Sequence, residues 1–158
     1  MLRKIFDFKK NLKYTCFICT VCAIASMLIQ FTFDKTPCLL CEFTRICFVI
    51  VAITCFFTFK RKNLNRIQLL PLLTLSILFF LTFYHLGVEN NWWLAPESCR
   101  AVLPTLSDPK PIELINDRPP CDIMGFQIFG ISMTLFSFAI SGILTWLHTI
   151  AFVLRKFL

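Results

Sequence analysis

Four stretches of this chain are apolar for long enough to cross a lipid bilayer, and this constrains the fold more than any other feature. They cover residues 14–33, 43–59, 69–86 and 128–153. A spanning helix needs about 20 largely apolar residues, and in lipid every backbone N–H and C=O must be satisfied within the spanning structure. Membrane β-strands would alternate apolar and polar residues, and these runs do not. The expectation is therefore an all-α integral membrane protein. It would be a four-helix bundle with one long loop outside the membrane, residues 87–127, forming a single membrane domain over residues 1–158. Pro71 falls in the first turn of the third run, where a missing N–H does no harm. Hydrophobic residues make up 57% of the chain, with 19 Phe and only 4 Gly, too apolar for an ordinary soluble domain. There is no internal repeat and no low-complexity tract.

The basic start followed by Ala23-Ile24-Ala25 superficially fits a cleaved leader. The apolar run continues to Phe33, however, and a leader's apolar region spans only about 7–15 residues. The first run is therefore expected to remain as a helix.

The formal charge is +7, which in a soluble protein would suggest nucleic acid. Here the basic residues flank the apolar runs instead of forming one solvated face, so a membrane topology explains them better. Arg3, Lys4, Lys9, Lys10 and Lys13 precede the first run. Lys60, Arg61, Lys62 and Arg66 lie between the second and third, and Arg155 and Lys156 follow the fourth. The other side holds Lys35, Arg100, Lys110 and Arg118 among most of the acids. The positive-inside rule places both termini in the cytoplasm and the first and third loops outside. Trp92 and Trp93 open the long loop as interfacial anchors. Its six prolines bar a long helix, and Ile112-Glu113-Leu114-Ile115 is expected to lie on the membrane surface.

Of nine cysteines, Cys38, Cys41, Cys99 and Cys121 fall at or outside that oxidising boundary. Cys38-Leu39-Leu40-Cys41 is a CxxC preceded by Pro37, at the start of the second helix. There the unpaired N–H groups and the helix dipole favour a thiolate. The competing readings are half of a zinc site, which wants another close Cys or His pair, and a structural staple. A thioredoxin-like domain would need βαβ patterning, which is absent. Cys99 and Cys121 bracket a proline-rich loop; such a pair can be a mere staple, or a flexible pair within reach of a partner thiol. Two pairs on one face favour thiol–disulfide exchange between them.

Arg45 lies four residues after Cys41, one turn along the same helix face and just inside the apolar run. An ionisable residue there is expensive, so a functional role is the default, against simple snorkelling. A fixed cation would stabilise a nearby thiolate and the anionic states of an electron acceptor. His85 ends the third run at the same face, as a cofactor donor, a proton shuttle or a headgroup anchor. His148, deeper in the fourth run, reads as a packing residue. Cys16, Cys19, Cys22, Cys47 and Cys55 read as small hydrophobes, with a metal path as the alternative.

The run Pro37-Cys38-Leu39-Leu40-Cys41-Glu42-Phe43-Thr44-Arg45 resembles the P-C-x-x-C-x-x-x-R signature of the DsbB family of disulfide bond formation proteins. The resemblance extends to Tyr84-His85-Leu86-Gly87-Val88-Glu89, Cys99, Cys121-Asp122 and Phe129-Gly130-Ile131-Ser132-Met133. It implies an enzyme of the bacterial inner membrane that reoxidises a periplasmic thioredoxin-fold dithiol oxidase, DsbA-like, and passes electrons to a quinone, ubiquinone or menaquinone. It implies that Cys99 and Cys121 exchange with that partner, and that Cys38 and Cys41 adjoin the quinone. Arg45 matches the quinone-contacting arginine, and His85 is a looser match. No metal is implied. One alternative is a vitamin K epoxide reductase-like quinone reductase, in which the loop pair precedes the CxxC instead of following it. Others are a non-catalytic tetraspan protein with a stapled outer loop and a Cys-based metal transporter.

Overall fold

The computed structural model describes residues 8–34, 36–60, 69–99, 119–121, 127–128 and 130–157. Four long helices carry the chain: α1 (Phe8–Phe33), α2 (Leu39–Lys60), α3 (Leu69–Glu89) and α4 (Met133–Phe157). All four are long and apolar enough to span a membrane. The protein is an all-α, multi-pass four-helix membrane bundle.

The helix ends differ from the apolar runs, because lipid limits the apolar stretch while backbone hydrogen bonding limits the helix. α1 begins at Phe8, at least six residues before the run, because Lys9, Lys10 and Lys13 are good helix formers whose stems can lie along the bundle. α2 begins at Leu39 instead of residue 43, directly after the Pro37-Cys38 turn. α3 continues one turn beyond Leu86 to Glu89. It stops in a Schellman motif: Asn91 takes a positive φ of 56°, Trp92 N–H reaches Gly87 C=O at 2.8 Å and Asn91 N–H reaches Val88 C=O at 3.1 Å. α4 starts at Met133 instead of residue 128, because a small antiparallel pair intervenes. Strand β1 (Gln127–Ile128) pairs with β2 (Ile131–Ser132), and Gly130 supplies the turn at φ 78°. The surface segment expected at residues 112–115, Asp122, Phe129, and the charges at Arg3, Lys4, Lys35, Arg61, Lys62, Arg66, Arg100, Lys110 and Arg118 lie outside the described residues.

Packing runs α1 on α2, α2 on α3, α3 on α4 and α4 back on α1, which closes the ring. The core is aliphatic and small: Leu12, Cys19, Val51, Cys55, Leu75, Leu78 and Leu144 are buried together. Cys16, Cys22 and Cys47 pack against it, as expected of small hydrophobes. Lipid provides no hydrophobic drive between helices, so small polar side chains add directional contacts. Thr54 and Thr74 hydroxyls meet across α2 and α3 at 3.2 Å. Thr82 and Ser141 meet across α3 and α4 at 2.9 Å, and the Thr145 hydroxyl donates to Leu75 C=O at 3.3 Å. Large apolar side chains such as Phe17, Phe31, Phe80 and Trp146 face outward, as a lipid-facing surface requires. His148 is buried against Phe8 and its Nδ1 lies 3.2 Å from Leu144 C=O, but its Nε2 has no partner among the described residues. The expectation of a packing residue therefore holds for position, while half of the ring's polarity is unanswered.

The antiparallel ring gathers the end of α1, the start of α2, the end of α3 and the start of α4 at one pole. That pole carries the cysteine pairs.

Candidate active site

Each part of the site reaches that pole by its own local device. Pro37 lacks an N–H, and Cys38 acts as the N-cap of α2: its Sγ accepts the Cys41 N–H at 3.2 Å and its C=O accepts the Glu42 N–H at 3.1 Å. The cap sets Cys41 one turn in, with the two sulfurs 2.6 Å apart. His85, buried on α3, directs Nε2 to within 3.6 Å of Cys38 Sγ and 3.9 Å of Cys41 Sγ.

The loop pair is brought back over the bundle by Trp93. Its indole stacks on Tyr84, with ring centroids 5.9 Å apart, and Nε1–H donates to Tyr84 C=O at 3.0 Å. A Cβ at Gly87 would overlap that indole, so this close approach needs glycine. Trp93 thus packs on the end of α3, while Trp92 stays exposed. The chain then makes a 3₁₀ turn (Glu97–Cys99), with Cys99 N–H on Pro96 C=O at 2.8 Å. Cys121 N–H binds Cys99 C=O at 2.8 Å, which ties the far end of the loop to its start. The Cys121 side chain packs in one buried cluster with Cys38, Cys99 and Leu40 at the start of α2. The four cysteines thus gather in one cluster, and His85 faces both sulfurs of the CxxC. Cys99 and Cys121 are 3% and 2% exposed, so the loop pair is covered where the sequence reading expected a reachable one.

Electrostatics at the cap also differ from expectation. The helix N-terminus does donate to Cys38, which favours a thiolate. The hydrogen bond with Cys121 also pulls its pKa down. The hydrogen bond that Cys38 donates to Cys41 Sγ, and burial, push it the other way, and the net result in the reduced form is a thiol pushed up to about 12. Cys121 is likewise pushed up, first by its hydrogen bond to Cys38 and then by burial, against lowering by Cys99 and Leu40. These thiols hold their protons at neutral pH, so turning either into a nucleophile requires a base.

Arg45 sits one turn beyond Cys41, and its Nη1–H donates to Gln30 Oε1 of α1 at 2.7 Å. A cavity of about 640 Å³ opens among Cys38, Cys41, Arg45, His85, Glu89 and Gln30. A second, of about 320 Å³, shares Cys41, Arg45 and His85 and runs along Phe48, Phe136 and Ile140. Cys38, Cys41 and His85 keep their donor atoms within 4.8 Å of one another, a spacing a soft metal ion also accepts. The guanidinium in the same cavity opposes a second cation there.

The sequence reading gave no role to Gln30, Glu89 or Ser132. Glu89 is 4% exposed; its Oε2 accepts the Ser132 Oγ–H at 3.1 Å, and its Oε1 has no partner among the described residues. Ser132 also caps α4, accepting the Leu135 N–H at 3.3 Å. The signals were present: Gln30 interrupts an apolar run, Glu89 follows His85 by one turn on the same face, and Ser132 immediately precedes a helix.

A spanning bundle with two cysteine pairs in contact at one pole defines a membrane thiol–disulfide protein. A family model described as "Disulfide bond formation protein DsbB" matches residues 11–151, nearly the whole chain. The chain belongs to the DsbB family, whose members are disulfide oxidoreductases of the membrane. No curated protein and no solved structure matches it.

Proposed function

We propose that this protein reoxidises a DsbA-like, thioredoxin-fold dithiol oxidase in the periplasm and delivers the electrons to a quinone of the bacterial inner membrane. The observation that carries this reading is the position of Cys121, which packs with both Cys99 and Cys38 in one buried cluster. Exchange needs an attacking thiolate, an accessible sulfur and a good leaving group. A sulfur shared by both pairs supplies a short route between them.

A partner thiolate attacks the Cys99–Cys121 disulfide and forms a mixed disulfide with one of its sulfurs. The partner's second thiol resolves it, which leaves the partner oxidised and the loop pair reduced. That pair then exchanges with the Cys38–Cys41 disulfide, so two electrons and two protons move inward and the loop disulfide re-forms. The larger cavity suits a quinone head, with Arg45 and His85 as the groups that would hold it. The smaller, lined by Phe48, Phe136 and Ile140, suits an apolar tail. A quinone bound there supplies an acceptor for two electrons and two protons. Arg45, held by Gln30, keeps a fixed positive charge beside the sulfurs and the acceptor oxygens as they become anionic.

The test is purified protein in lipid discs with a reduced thioredoxin-fold partner and a ubiquinone or menaquinone. One quinol should form per partner disulfide. Cys99→Ser and Cys121→Ser should abolish it, while Cys19→Ser and Cys55→Ser, which alter small buried side chains in the core, should retain it. Partner oxidation without quinol formation would overturn the quinone reading. Full activity of Cys99→Ser would reduce the loop pair to a staple.

A further inference from the structure

Glu89 is a carboxylate in a place where one is costly. It lies on a spanning helix, is 4% exposed, lines the larger cavity, and leaves Oε1 without a partner among the described residues. A buried carboxylate that lines a cavity beside reactive sulfurs is a candidate proton station. It stands one helical turn from His85, whose Nε2 faces both sulfurs of the CxxC. Among the described residues, the other titratable or charged groups lining that cavity are Cys38, Cys41 and Arg45 from the α2 end and Cys121 from the loop, while α4 and β2 present Ser132, Thr134 and Met133 near it.

We infer that Glu89 and His85 form the site's proton path, with Glu89 the group that holds a proton in transit between the Cys38–Cys41 dithiol and the acceptor. This rests on the quinone reading above. The balance requires such a path. When the dithiol becomes a disulfide, one S–S bond forms, two S–H bonds break, and two electrons and two protons leave for the acceptor's two oxygens. Electrons can pass through the sulfur in contact with the acceptor, but protons need titratable stations. His85 is placed to take the thiol proton, since its Nε2 is the nearest described base to both sulfurs. Glu89 is placed to relieve His85. Its Oε1 has no partner among the described residues, and its Oε2 is steadied by Ser132, which holds the carboxylate without titrating. The purely structural alternative makes Glu89 a clasp between α3 and the cap of α4. A clasp would affect stability but not proton chemistry.

The test uses Glu89→Gln, which keeps an acceptor for Ser132 but cannot titrate, and Glu89→Asp, which can. In full-length protein with partner and quinone, Glu89→Gln should lower quinol turnover at least tenfold with quinone KM unchanged within about twofold. It should flatten the acidic limb of the pH–rate profile. Glu89→Asp should recover part of the rate and restore that limb. A second readout needs no quinone. In reduced protein, the pH profile of alkylation at Cys41 should shift in Glu89→Gln and return in Glu89→Asp. Ser132→Ala should lower thermal stability by removing the cap while keeping the limb. Wild-type rate and wild-type pH profile in Glu89→Gln would overturn the inference, and so would an unshifted alkylation profile. If wild type makes no quinol at all, the quinone reading fails and this inference with it; if wild type does and Glu89→Gln matches it, only the inference fails.

Discussion

At the scale of single residues, the site depends on which side chains are held and by what. Gln30 fixes Arg45 with a hydrogen bond of 2.7 Å, so the cation is positioned rather than snorkelling freely. Arg45→Ala should raise quinone KM by about tenfold, the equivalent of one charged hydrogen bond of about 1.5 kcal/mol, while the mixed disulfide with the partner still forms. Arg45→Lys should recover only part, because an ammonium keeps the charge but not the planar fork. Quinone titrations of the three proteins check this; equal KM values would return Arg45 to interfacial anchoring. Cys38 gives a pH prediction with a definite sign. Its thiol is pushed up to about 12, so in reduced protein the neutral form persists well above the ordinary thiol range. Alkylation at Cys38 should therefore keep climbing, about tenfold per pH unit, past pH 9 where an ordinary cysteine levels off. Peptide mass spectrometry after brief iodoacetamide pulses reads this directly. A plateau near pH 8.5 would mean that the helix N-terminus outweighs burial.

At the scale of elements, the ends of the helices decide the site, and they were the least legible part of the sequence. Apolar runs reveal where lipid must be, so the existence and order of four helices could be read directly. They do not reveal where hydrogen bonding stops. α3 ends at Glu89 because Asn91 adopts a left-handed conformation and Trp93 folds back over Gly87. That extra turn brings Glu89 into the site. The cysteines and Arg45 were legible because their chemistry is unusual in an apolar setting. Gln30, Glu89 and Ser132 were missed because their meaning comes from partners 15 and 43 residues away along the chain. The burial of Cys99 and Cys121 also could not be read, since proline-rich composition says nothing about what a loop folds against. Gly87→Ala tests the element-level account. The added methyl meets the Trp93 indole, so the protein should lose roughly 1–3 kcal/mol of stability, as overpacked sites do. Trp93 should be displaced from Tyr84. Thermal unfolding and tryptophan emission in the same sample check both outcomes, and unchanged emission would dissociate the indole from Gly87.

At the scale of the whole molecule, the ring of antiparallel helices sets a direction. The poles differ: one gathers both cysteine pairs, Arg45 and Glu89, while the other carries Lys9, Lys10, Lys13 and Lys60. The positive-inside rule then predicts that both termini and residues 61–68 face the cytoplasm. Reporter fusions after Lys62 and at Leu158 should be active only in their cytoplasmic form, and periplasmic activity at either position would reverse the pole that meets the partner. The burial of Cys38 behind Cys121 bears on selectivity. Cys38 is 7% exposed, and the sulfur lying against it belongs to the outer pair. A small periplasmic thiol that approaches from the loop side, on the proposed reading, meets Cys121 before it meets Cys38. On the proposed reading, oxidising power drawn from the membrane is insulated from stray reductants. It reaches solution through the outer pair, so the circuit does not short.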